Sequence, residues 1–191
     1  MPSPADATLA AAMAAGVDRT LDAVRAAVAV PTVVLVDGRS GAGKSTFADA
    51  LAARVDDAVV VRLDAVYPGW DGLRAGADIV RERVLRPLRQ GGTARWTLWD
   101  WTTDRPTGRE ATVPSASIVI VEGAGVLTPG SARLADVTVW LDAPEAARKA
   151  RALGRDGDTY RPHWERWAAQ EGAHLHEHRP TDIAQIVVTL P

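Results

Sequence analysis

The sequence predicts an α/β protein in three layers, with helices covering both faces of a five-stranded parallel sheet. Short, nearly continuous apolar runs recur at 32–36, 58–63, 118–122, 137–142 and 183–189. Such runs mark strands buried on both faces rather than one. Segments of helical character separate them, which is the alternation parallel strands need. A glycine-rich stretch, Gly38-Arg39-Ser40-Gly41-Ala42-Gly43-Lys44-Ser45-Thr46, joins the first run to the helix after it. A strand, loop and helix in that order put an anion site at the carboxyl edge of the sheet.

An amphipathic helix is expected over residues 1–30. Leu9, Met13, Val17, Leu21, Val24 and Val28 recur at spacings of three and four and form one apolar stripe, and Pro31 ends the helix. Packing against the domain explains the stripe better than a role in binding a partner. Asp6, Asp18, Arg19, Asp22 and Arg25 interrupt the apolar character, so the segment does not read as a secretory signal.

The glycine-rich stretch follows, with the spacing Gly38-x4-Gly43-Lys44-Ser45 of a phosphate-binding loop. Glycines let successive backbone N–H groups curl around phosphate oxygens, and the next helix contributes its positive end. On that reading Gly38, Ser40, Gly41, Ala42, Gly43, Lys44, Ser45 and Thr46 bind the triphosphate of ATP. Lys44 reaches the β- and γ-phosphates, and the Ser45 hydroxyl ligates the magnesium ion that bridges them. The chain has 22 lysines and arginines, but only Lys44 and Lys149 are lysine. A lysine kept inside the loop suits a compact phosphate contact that a planar guanidinium does not reproduce.

After a helix from Phe47 to Arg54, the second strand ends at Asp64, and the third ends at Glu122, ahead of Gly123-Ala124-Gly125. A carboxylate at Asp64 can accept the proton of an attacking hydroxyl, and one at Glu122 can hold magnesium or its water. The fourth strand ends at Asp142, so these acids share the strand-end edge with the loop. Between them, Trp99 and Trp101 alternate as in a hairpin, and with Trp70 and Trp96 they can wall an acceptor site. Past Pro144, Arg148, Arg151 and Arg155 fall on one helical face. The segment at about 145–162 reads as an arginine-rich lid, with glycines around Arg155 to let it close. His174 and His178 share a helix face, and a solvated face is the expectation there.

These residues resemble the uridine kinase and phosphoribulokinase-like family of P-loop kinases. The loop, Asp64-x-x-Tyr67, Trp99-Asp100-Trp101, Glu122-Gly123 and the arginine-rich Arg148–Asp156 segment occur in that family's order across roughly residues 32–189. Two elements differ from it. Val66 stands where uridine kinases carry Phe before the tyrosine, and Trp99-Asp100-Trp101 replaces a Tyr-Asp-Phe element followed by histidine and arginine. The resemblance implies the P-loop NTPase fold and phosphorylation of a small-molecule hydroxyl by Mg-ATP. It also implies Asp64 as general base, Lys44, Arg151 and Arg155 as catalytic cations, and Ser45 with Glu122 at the metal. Tyr67, Trp99, Asp100 and Arg105 would contact the acceptor.

The 191 residues suit one domain, and the absence of cysteine removes disulfides, thiolate metal sites and cysteine nucleophiles. A net charge of −2 argues against a nucleic-acid or anionic-membrane surface. The expected protein is therefore a cytoplasmic kinase of a small metabolite, with a nucleoside as the leading acceptor. A sugar, vitamin precursor or antibiotic is an alternative, as is an ATP-binding switch or ATPase with no organic acceptor. Homo-oligomerisation stays open.

Overall fold

The computed structural model describes residues 4–191, so the first three residues of the expected N-terminal helix lie outside the described residues. Helix α1 (Pro4–Ala26) leads into β1 (Thr32–Gly38) and α2 (Lys44–Ala52). Strand β2 (Ala58–Arg62) passes into a 3-10 turn at Leu63–Ala65. Next comes α3 (Leu73–Val80), continued through a π-helical stretch, Arg81–Leu85, into α4 (Arg86–Arg89). The π widening immediately precedes Pro87, whose ring has no N–H for the helix ladder and crowds the preceding turn.

Strands β3 (Arg95–Asp100) and β4 (Arg105–Thr112) form a separate antiparallel hairpin. The remaining elements are β5 (Ile118–Glu122), α5 (Pro129–Ala132), β6 (Val137–Asp142), α6 (Glu145–Tyr160), α7 (Trp164–His178), α8 (Pro180–Ile183) and β7 (Ile186–Thr189).

The main sheet has five strands in the order β2-β5-β1-β6-β7, all parallel, as expected from the sequence. The last strand starts at Ile186 rather than 183, because Pro180 opens the short helix α8 instead. Along β1 every residue is buried and the side chains alternate between layers. Val33 and Leu35 join a core with Leu73, Val84, Trp164 and Trp167, whereas Val34 and Val36 join one with Val17, Leu21, Phe47 and Leu51. Helices α1 and α2 thus cover one face of the sheet, and α3 and α7 the other.

The apolar stripe of α1 packs as expected through Val17, Leu21 and Val24, each under 10% exposed. Val28 departs from the expectation: the helix stops at Ala26, and Val28 is 97% exposed beyond its end. Among the described residues, no helix is long and apolar enough to cross a membrane.

Because Leu21 is 1% exposed against the sheet, Leu21→Ala is expected to lower the unfolding free energy by about 2–5 kcal/mol in urea denaturation. A partner-binding helix only loosely held to the domain would show a change within about 0.5 kcal/mol, as surface substitutions do.

Candidate functional site

The phosphate loop leaves β1 at the centre of the sheet, and its shape is fixed from behind. Asp37, fully buried at the end of β1, accepts hydrogen bonds from the Gly125 and Leu127 amides at 2.9 and 2.8 Å. It also accepts one from Nε2 of His174 in α7 at 3.1 Å. One turn earlier in α7, the Glu171 carboxylate accepts the Ser40 amide at 2.6 Å and Arg39 Nε at 3.1 Å. Arg148 of α6, 2% exposed, donates to the Ser40 carbonyl at 3.1 Å and the Ala143 carbonyl at 3.0 Å. Burial lowers the pKa of this guanidinium. At Gly41 (φ +76°) a Cβ would overlap the Arg148 carbonyl, so only glycine lets the loop lie this close to α6.

In front of the loop lies a cavity of about 580 Å3. Ser40, Gly41, Gly43, Lys44, Ser45 and Thr46 line one side of it. Gly38 instead closes β1 against β6, where it pairs with Leu141, and Ala42 is buried on the loop's far side. Lys44 Nζ donates to the Arg39 carbonyl at 3.3 Å.

Glu122 reaches the cavity because β5 lies beside β1, with Glu122 in register with Val36. Its carboxylate accepts the Ser45 hydroxyl at 2.9 Å and Arg62 Nη1 at 3.3 Å. Burial raises its pKa above the ordinary glutamate value and the Asp64 carboxylate adds to that, while Lys44, Ser45 and Arg62 oppose it. Asp64, on the 3-10 turn after β2, lines the same cavity. Asp142 lies on β6, on the other side of β1, and is not part of the lining.

The opposite wall is aromatic, formed by Tyr67, Trp70, Trp101, Tyr160 and Trp167. Trp70 stacks on His163 (centroids 4.2 Å apart, planes at 10°) and on Tyr160 (5.4 Å, 13°), and sits 4.7 Å from Trp101. Trp101 Nε1 donates to the backbone carbonyl of Asp64 at 2.6 Å, which ties this wall to the carboxylate's turn. Tyr67 contributes its ring, since its hydroxyl is spent on the Ala124 carbonyl at 2.8 Å. Burial, then the Asp64, Asp37 and Glu122 carboxylates, keeps that phenol's pKa well above the ordinary value.

Several residues expected at the site sit elsewhere. Trp99, Asp100 and Arg105 are not in the cavity lining. Asp100 closes the hairpin turn, accepting the Thr102 amide and Thr103 hydroxyl, each at 2.9 Å. These bonds, the Thr102 amide foremost, lower its pKa. Arg105 is an exposed residue opening β4. Trp96 is buried in the core.

Of the three arginines on α6, only Arg155 lines the cavity, paired with Asp156 through contacts of 2.8 and 2.6 Å. The Asp156 hydrogen bond raises its pKa. Arg151 Nε donates to the Gly41 carbonyl at 2.8 Å, on the loop's back, because the shared helical face is laid against the loop until α6 passes its edge. The expected lid is this helix, broken by a non-helical Gly157.

His174 is 7% exposed and faces Asp37, so the solvated face expected for it is corrected. Trp164, Trp167, Glu171 and His174 form one buried row on α7. Their helical spacing was the signal that would have found Glu171 and His174.

No protein-family model matches the chain. Its structure is similar to that of a "possible uridine kinase" from Bacillus stearothermophilus, with a TM-score of 0.68 and 18% identity over 92% of this chain and 98% of that one. It is also similar to a "putative fructose transport system kinase" from Silicibacter sp. TM1040, with a TM-score of 0.60 and 26% identity over 94% of this chain and 98% of that one. The likeness shows that the chain shares the three-layer α/β/α fold of these proteins, the P-loop NTPase fold expected from the sequence.

Glu171→Ala leaves the Ser40 amide and Arg39 without their acceptor. The expected loss is about 1.5–3 kcal/mol of stability, read by urea denaturation, together with weaker ATP binding in calorimetry. A variant as stable as the parent would show that α7 does not hold the loop.

Proposed function

We propose that this chain is a small-molecule kinase that transfers the γ-phosphate of Mg-ATP to a hydroxyl of an organic acceptor, with a nucleoside as the leading acceptor. The observation that carries the reading is one cavity lined together by Lys44, Ser45, Asp64, Glu122 and an aromatic wall. Phosphoryl transfer asks little covalent chemistry of the protein, so positioning and charge provide most of the catalysis. The acceptor oxygen attacks the γ-phosphorus in line with the bond that breaks, and its proton passes to the Asp64 carboxylate. The new O–P bond forms as the bond from phosphorus to the β–γ bridging oxygen breaks, and ADP leaves. Lys44 donates to β- and γ-oxygens throughout, and Arg155 offsets charge on the transferred group by exchanging Asp156 for a phosphoryl oxygen. Arg151 has a supporting role in this reading rather than a catalytic one.

The donor set fits magnesium. A hydroxyl and a buried carboxylate, Ser45 and Glu122, meet at 2.9 Å beside Lys44. Magnesium usually takes one or two carboxylates, with phosphates and waters completing its shell. The described residues hold no cluster of three or more His, Cys, Asp or Glu that would form an all-protein metal site. Magnesium bound there would neutralise β- and γ-oxygen charge.

With Trp70 already stacked on His163 and Tyr160, Trp101 is the wall's tryptophan suited to the planar base of a nucleoside or the apolar face of a sugar. A sugar acceptor is the second reading, favoured by the similarity to the fructose transport system kinase. The setting proposed is the cytoplasm, with which a cysteine-free chain is compatible.

The test is ADP formation from Mg-ATP across nucleosides, sugars and vitamin precursors, with Lys44→Ala as the blank. Stimulation by one class of acceptor supports the kinase and names its substrate. Slow ADP release that no acceptor stimulates supports the switch or ATPase reading. With the acceptor found, Asp64→Asn is expected to cut kcat by about 10²–10⁴-fold, the usual worth of a general base, while the Kd for ATP stays within about twofold. Unchanged turnover removes Asp64 from the proton transfer.

A further inference from the structure

Glu122 has a cationic neighbour that the sequence did not nominate. Arg62, the last residue of β2, pairs in register with Glu122 on β5, so the two side chains leave the sheet on the same face. Val60, two residues earlier on β2, packs on that face against the core that includes Phe47 and Leu51 of α2. On α2, Ser45 and Asp49 stand one turn apart on one side of the helix. The four polar residues close a circuit. The Ser45 hydroxyl donates to Glu122 Oε1 at 2.9 Å, and Arg62 Nη1 donates to the same oxygen at 3.3 Å. Arg62 Nη2 then donates to Asp49 Oδ1 at 2.6 Å.

Both bonds to Glu122 fall on one oxygen. The other, Oε2, accepts none among the described residues, and it is not one of their buried unpartnered atoms, so it is open to the cavity that Glu122 lines.

We propose that Arg62 is a positioning residue for magnesium: braced by Asp49, it holds the Glu122 carboxylate with Oε1 toward Ser45 and leaves Oε2 for the cation or one of its waters. The inference rests on Ser45 and Glu122 being the magnesium residues of the kinase reading. A glutamate held by one hydroxyl can still turn about its side-chain torsions, and a second donor on the same oxygen fixes it. The planar fork of arginine lets one side chain serve two carboxylates at once. Asp49 is more than half exposed, so its ion pair adds little to stability, and orientation is what it contributes. The sign of the effect separates positioning from charge. On charge alone, a guanidinium beside a divalent cation repels it, and its removal would tighten magnesium binding. Positioning predicts the opposite.

The test is calorimetry of ATP binding to the parent, Arg62→Ala, Asp49→Ala and the double variant, each in excess magnesium and in EDTA. Asp49 is exposed on α2, so Asp49→Ala leaves the core intact. Arg62→Ala is expected to weaken ATP binding about 10- to 100-fold in magnesium, the usual worth of a group that orients a metal ligand, and to leave it within about twofold in EDTA. Asp49→Ala should lose affinity in magnesium only, and the double variant should be no weaker than Arg62→Ala beyond about twofold, because the two act as one unit. Unchanged or tighter binding of Mg-ATP by Arg62→Ala, equal losses in magnesium and EDTA, or additive losses from the two substitutions would each overturn the assignment of Arg62 while leaving the magnesium residues in place. If the parent binds ATP no more tightly with magnesium than in EDTA, the assignment of Ser45 and Glu122 to the metal fails instead.

Discussion

A loop that offers its amide hydrogens to a ligand cannot spend them on its own secondary structure, so something outside the loop must hold its shape. In this chain that constraint is met by buried charges. Glu171 takes the Ser40 amide and the Arg39 side chain, and Arg148 takes the Ser40 carbonyl. Asp37 fastens the turn after β5 and His174 to the end of β1. Each buried charge is costly to desolvate and is tolerated because its hydrogen-bonding capacity is met. The two helices that follow β6, α6 and α7, therefore act mainly as the back of the phosphate site, and the fold's remaining decisions follow from bringing them there.

The sheet order has a similar consequence. With β5 next to β1 and β2 next to β5, the strand-end acids Glu122 and Asp64 come to one side of the loop. With β6 on the other side, Asp142 is directed away from it. The aromatic wall is built from three separate places, Trp70 before α3, Trp101 after β3, and Tyr160 with Trp167 on the helices after β6. A wall assembled from such distant segments can vary in shape while the phosphate machinery stays fixed, which is how one fold serves many acceptors.

The fold was largely legible because its signals are local. Five apolar runs, alternating helices and one glycine-rich loop suffice for the sheet, and the strand-end position suffices to nominate Asp64 and Glu122. What was not legible depends on tertiary geometry. The spacing of Arg148, Arg151 and Arg155 correctly gives one helical face, but not that the first two press on the back of the loop. The alternation of Trp99 and Trp101 marks a hairpin, but not that Trp101 lines the cavity while Trp99, next to a register shift between Thr97 and Trp99, does not. Asp100 looked like a ligand because turn carboxylates and binding carboxylates share the same residue type. His174 shows the same limit: its place in the buried row with Trp164, Trp167 and Glu171 is legible from helical spacing, but its pairing with Asp37 of β1, 137 residues earlier in the chain, is not.

The fate of the γ-phosphate tests the central claim most directly. The protein would be incubated with Mg-ATP and a mixed acceptor pool in water enriched in oxygen-18, and the phosphorylated products read by mass spectrometry. Transfer to an acceptor hydroxyl predicts an organic phosphate ester with no heavy oxygen on phosphorus and little inorganic phosphate. Release of all the γ-phosphate as inorganic phosphate carrying one heavy oxygen, whatever acceptor is present, would contradict the account and make the cavity the site of an ATPase.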